Sequence, residues 1–318
     1  MNLYTVYKRL VVISPYIEIF VRFIYWHNIS LLRKIRPDYK KNNMNVLSGN
    51  IDNIVDFLRS KGIKDGSLLI VHSSYDMLSH LGLSPNEFVD LLLNLIGKKG
   101  TLVMPVIRKF EELNSFKNLI EADLSDITCL YDVKKTPVIT GYLPFCLMRK
   151  KGSYTSRYPL NPVTAFGPLA EDMVKNNLKG ELPSPHGENS AWKFCVDHHA
   201  IVLGLGINLG HHLTIAHVAE EAYPGWPIEN WFRQRNFIIK DGDYIEKKIV
   251  QERRPKWGKL YEAELNYNRD LVNNNILQEY SVESVKVSIV SSEKLISYLR
   301  SKNSKGYPYI YPFIGKCK

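Results

Sequence analysis

SLLIVHSSYDMLSHLGLSPNEFVDLLLNLIGKKGTLVMPV, residues 67–106, decides the fold class. It opens with SLLIVHSS (67–74), a short apolar run ending in small polar residues, the pattern of a buried strand that runs into a turn. SPNEFVDLLLNLIGKKG (84–100) then changes to helical spacing. Ser84 is placed to cap this helix, Pro85 takes its first position, Glu87 stands at capping-box distance and glycines follow the last turn. TLVMPV (101–106) is a second strand. Strand, helix and strand in that order predict an α/β unit with a largely parallel core.

Working outward, IDNIVDFLRSKG (51–62) has the apolar spacing of a helix and ends on Gly62. Residues 107–160 read as loop-rich, with a helix near 140–150. A further helix starts after Gly167 and Pro168. HHAIVLGLG (198–206) is a strand ending in glycines, followed by a helix that carries HHLTIAHVAEEAY (211–223). From about 228 the pattern becomes β-rich: NFIIKDGDYIEKKIVQE reads as a hairpin turning at DGD, and SVKVSIV (284–290) is another strand. Helices are expected at 259–276 and at SEKLISYLRSK.

At 318 residues, 45% hydrophobic and 23% charged, the chain can bury a substantial core as one large domain, alone or with a smaller attached piece. Cys129, Cys146, Cys195 and Cys317 are scattered with no CxxC pair, which suits a reducing, cytoplasmic setting and argues against a disulfide framework or structural zinc. The net charge of +10 attracts anions. It is spread thinly, with no long basic block and no RNP, zinc-finger or basic-zipper pattern, so a small anionic ligand is expected and nucleic acid is not.

LVVISPYIEIFVRFIYW (10–26) resembles a membrane segment, but Pro15, Glu18 and Arg22 interrupt it and its uncharged run falls short of the ~20 residues that span a bilayer. It reads as a helix packing on the body or on a second subunit, with peripheral membrane contact as the alternative. Residues 1–43 are thus expected to form a helical extension, with RKIRPDYKK (33–41) as a linker, and 44–318 the main domain, β-rich within about 228–318.

HHLTIAHVAEEAY concentrates ligand-type side chains. A zinc-binding helix needs histidines four apart, whereas His212 and His217 are five apart and His211 and His217 six. No metal site is expected. His217 and Glu220 are three apart and His217 and Glu221 four apart, spacings that bring side chains together. A carboxylate so placed orients an imidazole as a general base; a surface His/Glu pair fits the same spacing.

GLGINLG (204–210) has the wrong spacing and position for a dinucleotide fingerprint, although its glycines let backbone approach a ligand. His72, Ser73 and Ser74 follow a strand at the edge where α/β sheets bind ligands. GxSxG is absent, so these residues are expected to hydrogen-bond a ligand rather than supply a nucleophile; strand capping is the competing reading.

Taken in order, the pieces resemble the aminoglycoside 3-N-acetyltransferase family. VHSS (71–74), GTLVMP (100–105), Tyr131–Asp132 with Thr136–Pro137 and Gly141, TSRYPLNPVTAFG (155–167), HGENSAWK (186–193), GLG (204–206) and HVAE (217–220) follow the family's sequence of motifs. The resemblance covers roughly residues 45–225, with weaker similarity through QERRPKWG (251–258).

The resemblance implies a mixed central α/β sheet flanked by helices, binding acetyl-CoA as cosubstrate and passing its acetyl group directly to a sugar amine. His217 takes the place of the family's catalytic histidine, Glu220 of its orienting carboxylate, and Thr214 is the candidate oxyanion donor. His72, Ser73, Ser74 and Ser190, with Gly204 and Gly206, are expected along the acetyl-CoA channel; Tyr158, Asn161 and Glu221 are expected on the acceptor side. The family's HPxxS histidine is Tyr158 here, its serine Pro162 and the preceding arginine Thr155, while FGxxSP has become HGENSA.

These departures, with a net charge of the wrong sign for steering polycations, point to a nucleotide-linked amino sugar for a surface polysaccharide rather than an aminoglycoside. Acetylation of an aminoglycoside at its 3-amine, transfer to a sugar hydroxyl, and a noncatalytic acyl-CoA or nucleotide-sugar binding protein are the alternatives. The sequence fits a monomer or a homodimer equally.

Overall fold

The computed structural model describes residues 10, 14–27, 49–114, 122–258 and 260–309, with side chains at 25–27 and 261–265 excepted. The expected linker at 33–41 lies outside the described residues. In chain order the elements are α1 (Pro15–His27), α2 (Ile51–Ser60), β1 (Leu68–Ser73), α3 (Pro85–Ile96), β2 (Thr101–Pro105), β3 (Thr128–Asp132), α4 (Tyr142–Arg149), β4 (Tyr154–Thr155), β5 (Val163–Phe166) and α5 (Ala170–Val174). They continue with α6 (Ala191–Asp197), β6 (Ile201–Leu205), α7 (Val218–Glu221), β7 (Phe232–Asp241), β8 (Tyr244–Arg253), α8 (Tyr261–Asn273), β9 (Leu277–Val282), β10 (Val285–Ser291) and α9 (Ser292–Arg300).

A seven-stranded sheet in the order β4-β5-β2-β1-β6-β10-β9 forms the centre. β1 pairs parallel with both β2 and β6, so the carboxyl ends of these three strands open on one edge. The expected parallel core is confined to them: β5 lies antiparallel to β2, β4 to β5, β10 to β6 and β9 to β10. The sheet is mixed because β4–β5 and β9–β10 each double back through short connections, which force antiparallel neighbours.

Alternation along the central strands supplies two cores. Leu68 and Ile70 of β1, Val103 of β2 and Val202 of β6 face one layer, which includes residues of α6, α8 and α9. Leu69, Val71, Leu102, Met104 and Leu203 face the other, against α2, α3 and α4. The Ser84 capping box closes as expected: its hydroxyl accepts from Glu87 N–H at 3.4 Å, and the Glu87 carboxylate accepts from Ser84 N–H at 2.8 Å.

The β-rich C-terminal part is divided between two sheets. β7 and β8 form the expected hairpin but join β3, which pairs parallel with β7, in a separate three-stranded sheet, whereas β9 and β10 complete the central one. The stretch read as loop therefore contains β3 and β4. Cys129, Tyr131, Tyr158, Phe237 and Val250 form the second sheet's core.

α1 docks on an aromatic cluster of Trp231, Trp257 and Tyr309: Ile19 packs against it, and the Tyr16 ring meets Trp257 edge-on at 5.4 Å. Phe20 on the same helix is exposed. No helix among the described residues is long and apolar enough to cross a membrane.

Candidate active site

The common edge of β1, β2 and β6 opens into a cavity of about 650 Å³, lined by His72, Ser73, Ser74, Pro105, Gly206 and Asn208 among others. His72 is the penultimate residue of β1, whose apolar side chains fix its register, so its ring is buried and stacks 6.3 Å from Trp192. Burial, and then the neighbouring His212, push its pKa down to about 3. At neutral pH His72 is therefore a neutral hydrogen-bonding group, and its Nε2 has no hydrogen-bond partner among the described residues. Gly206 turns the chain away from β6 with φ +68°, and a Cβ there would stand 2.7 Å from Met77 Cβ. Glycine permits both the left-handed turn and the close approach.

A second cavity, about 330 Å³, adjoins the first: Ile107 and His212 line both. Its walls include Thr214, His217, Glu220, Arg253, Trp257 and Tyr309. The expected continuous helix over 211–223 is instead two 3-10 turns, Leu209–His211 and Thr214–His217, followed by the short α7. This broken path still brings His217 and Glu220 together, with Nδ1 3.0 Å from Oε2.

The Glu220 side chain is 4% exposed and the His217 ring 20%, so the ring reaches the cavity in front of its carboxylate. Arg253, the last residue of β8, lays a guanidinium nitrogen against that ring, 2.6 Å from Nδ1 and 2.7 Å from Nε2, and 3.8 Å from Glu220 Oε2. The same nitrogen donates to the Tyr309 hydroxyl at 3.0 Å.

Burial holds the His217 imidazole well below its ordinary pKa, and the charges of Arg253 and His186 add to the effect. Burial raises Glu220 to about 8, against the pull of Arg253. The two groups titrate as a coupled pair: Nδ1 faces the Glu220 carboxyl, and both ring nitrogens lie against the Arg253 guanidinium. Thr214 Oγ1 lies 3.4 Å from the His212 carbonyl.

Other expected site residues separate. Asn161 lines the second cavity, with φ 50° and its carbonyl accepting Trp192 Nε1–H at 2.9 Å. Ser190 does not line the larger cavity; it caps α6 by accepting from Lys193 N–H at 3.0 Å. Gly204 is a packing residue inside β6, where a Cβ would stand 3.0 Å from Leu209 Cβ.

Tyr158 and Glu221 line neither of the two cavities. Tyr158 is 3% exposed and directs its hydroxyl to the carbonyls of Gln251, at 2.6 Å, and Pro183, at 3.1 Å. Glu221 turns away from His217 to His186: Oε1 lies 3.1 Å from Nδ1, and Oε2 accepts the His186 backbone N–H at 3.0 Å.

Arg253, His186 and Tyr309 were not singled out from the sequence. QERRPKWG carried a weak resemblance that marked the Arg253 neighbourhood, and the histidine of HGENSA marked His186 as a departure, but neither motif shows the side chain's direction. Among the described residues no group of three or more His, Cys, Asp or Glu could hold a metal ion.

The chain is 26% identical over 168 residues to aminoglycoside N(3)-acetyltransferase IX of Micromonospora chalcea, a match covering 51% of the chain and 58% of that relative. The fold is shared with the binary complex of AAC-IIIb with CoASH (TM-score 0.64, 16% identity, 79% of this chain and 95% of that one). It is also shared with the aminoglycoside acetyltransferase AAC(3)-IVa apoenzyme (TM-score 0.63, 19% identity, 85% and 95%) and with a variant of that enzyme in complex with apramycin (TM-score 0.61, 20% identity, 82% and 94%). The family model for aminoglycoside 3-N-acetyltransferase matches residues 70–302, and the chain belongs to that family.

Proposed function

We propose that the chain is an acetyl-CoA-dependent N-acetyltransferase acting on the amine of an amino sugar. The observation that carries this reading is the meeting of the two cavities at Ile107 and His212, with the His217–Glu220 pair on the wall of the smaller one. The larger cavity suits the acyl donor: His72 Nε2 offers a buried, unpaired polar atom, and Gly206 puts bare backbone on the cavity wall. Acetyl-CoA supplies an activated acyl thioester there.

His217 performs the proton transfer. A neutral amine in the smaller cavity forms a C–N bond to the thioester carbonyl carbon, and its proton passes to the His217 imidazole as the C–S bond breaks. Glu220 stands 3.0 Å from Nδ1 and orients the ring. Thr214 is positioned on the same wall to donate to the carbonyl oxygen as it becomes anionic. The leaving thiolate then takes up the proton.

The acceptor is a nucleotide-linked amino sugar. Among the described residues lining the smaller cavity, Glu220 is the one carboxylate, it is committed to His217, and the cationic Arg253 stands beside it. A polyamine needs several free carboxylates; a negatively charged acceptor matches Arg253 and the net charge of +10. The aminoglycoside reading draws on the apramycin complex of the structural relative.

Thiol release from acetyl-CoA, measured with a panel of nucleotide-linked amino sugars and aminoglycosides, separates the two. The proposal expects higher kcat/KM for the nucleotide-linked acceptors. Preference for aminoglycosides overturns the acceptor assignment, and failure to bind acetyl-CoA overturns the acetyltransferase reading.

A further inference from the structure

Behind the His217–Glu220 pair stands another of the same composition. Consecutive carboxylates of α7 hold two different histidines: Glu220 holds His217, and Glu221 holds His186 on the loop before α6. The His186 and Glu221 side chains are 1% and 0% exposed, and the His186 ring meets the His217 ring edge to face at 5.2 Å. Neither His186 ring nitrogen makes a hydrogen bond among the described residues; Nδ1 and Glu221 Oε1 meet as a close contact at 3.1 Å. Burying an ionisable pair costs more than packing apolar groups in the same space, so a pair kept against the ring of a base calls for a role.

We propose that His186 and Glu221 act as a positioning pair that fixes the ring of His217 and sets the charge it experiences during acyl transfer. The inference rests on the reading of His217 as the base. Glu221 Oε2 accepts the His186 backbone N–H and Oε1 stands 3.1 Å from the ring Nδ1, which holds the imidazole beside the His217 ring. The other groups facing His217 are Glu220 on its own helix and Arg253 from β8; Tyr309 accepts from Arg253 through its hydroxyl, and Tyr267 of α8 lines the same cavity.

The net effect of the pair follows from its two members. His186 disfavours a proton on His217 more strongly than Glu221 favours one. Removing His186, or both residues together, therefore makes His217 easier to protonate.

The test compares wild type, His186→Phe and the double variant His186→Phe/Glu221→Gln. The double variant removes the stranded carboxylate that could prevent the single variant from folding. The expected result is that the acid limb of the kcat/KM profile moves to higher pH in both, by about one unit in the single variant and less in the double. A purely structural role lowers activity without moving the limb, and that result overturns the inference.

Titration of the His217 ring by NMR, assigned by its loss in His217→Ala, gives a readout independent of turnover. A raised midpoint in the double variant supports the pair's role, and an unchanged midpoint overturns it. If the wild type releases no thiol while the midpoint rises, the base assignment fails and the coupling between the pairs stands.

Discussion

Arg253 and His217 are in direct contact, with a guanidinium nitrogen 2.7 Å from Nε2 of the imidazole. A fixed cation at that distance opposes a second positive charge on the ring, and it acts together with burial to keep His217 neutral. It also favours the charged form of Glu220, 3.8 Å away. Arg253→Gln thus makes both members of the pair hold protons more tightly. The base must be unprotonated to act, so the acid limb of kcat/KM should move to higher pH by about one unit, read from a pH–rate profile.

His72 makes stability fall on the acid side. Its folded-state pKa, about 3, lies below the ordinary value of 6.5, so the neutral ring's contribution is complete above pH 6.5 and is lost as pH falls toward 3. The loss is on the order of 5 kcal/mol across that window. Chemical denaturation as a function of pH should show a flatter acid slope in His72→Gln.

Glu220 has the opposite sign. Its folded pKa of about 8 stands above the ordinary 4.5, so its contribution is complete below pH 4.5 and is lost as pH rises through 8. Glu220→Gln should flatten the neutral-to-alkaline slope in the same denaturation series.

Gly206→Ala tests the larger cavity. The substitution puts a Cβ 2.7 Å from Met77 Cβ in a backbone conformation with φ +68°, at a cost of about 1–3 kcal/mol. Calorimetric titration should show acetyl-CoA binding weakened by about tenfold, with acceptor binding less affected.

Tyr158→Phe removes a hydroxyl directed to Gln251 and Pro183 carbonyls. The expected outcome is a stability loss of about 1–2 kcal/mol with acceptor KM changed by less than about twofold. A large rise in acceptor KM at unchanged stability would restore Tyr158 to the acceptor site.

The α/β plan was legible because its central elements carry strong local signals. The continuous apolar run of β1 and the Ser84–Glu87 capping box both formed at the expected places. β3 and β5 escaped notice because TCLYD and VTAF are short and their burial depends on partners distant in the chain, β7 and β2. Local propensity does not encode those pairings.

Within the candidate site, the His217–Glu220 contact was legible from three-residue spacing, which brings the groups together even on a 3-10 turn leading into α7. Arg253 was not, because it reaches His217 from a strand 36 residues on, in register with Phe232, and charge alternation along β8 does not mark one arginine above another. Tyr158 and Glu221 show the converse. Their place in a motif is a sequence property, whereas the direction of the side chain is set by the second sheet for one and by His186 for the other.

Substitution of His217 tests the central claim most directly. Thiol release from acetyl-CoA in the presence of an amino-sugar acceptor should fall by about 10²–10⁴-fold in kcat for His217→Ala, with acetyl-CoA binding retained. Undiminished turnover in that variant would contradict the account.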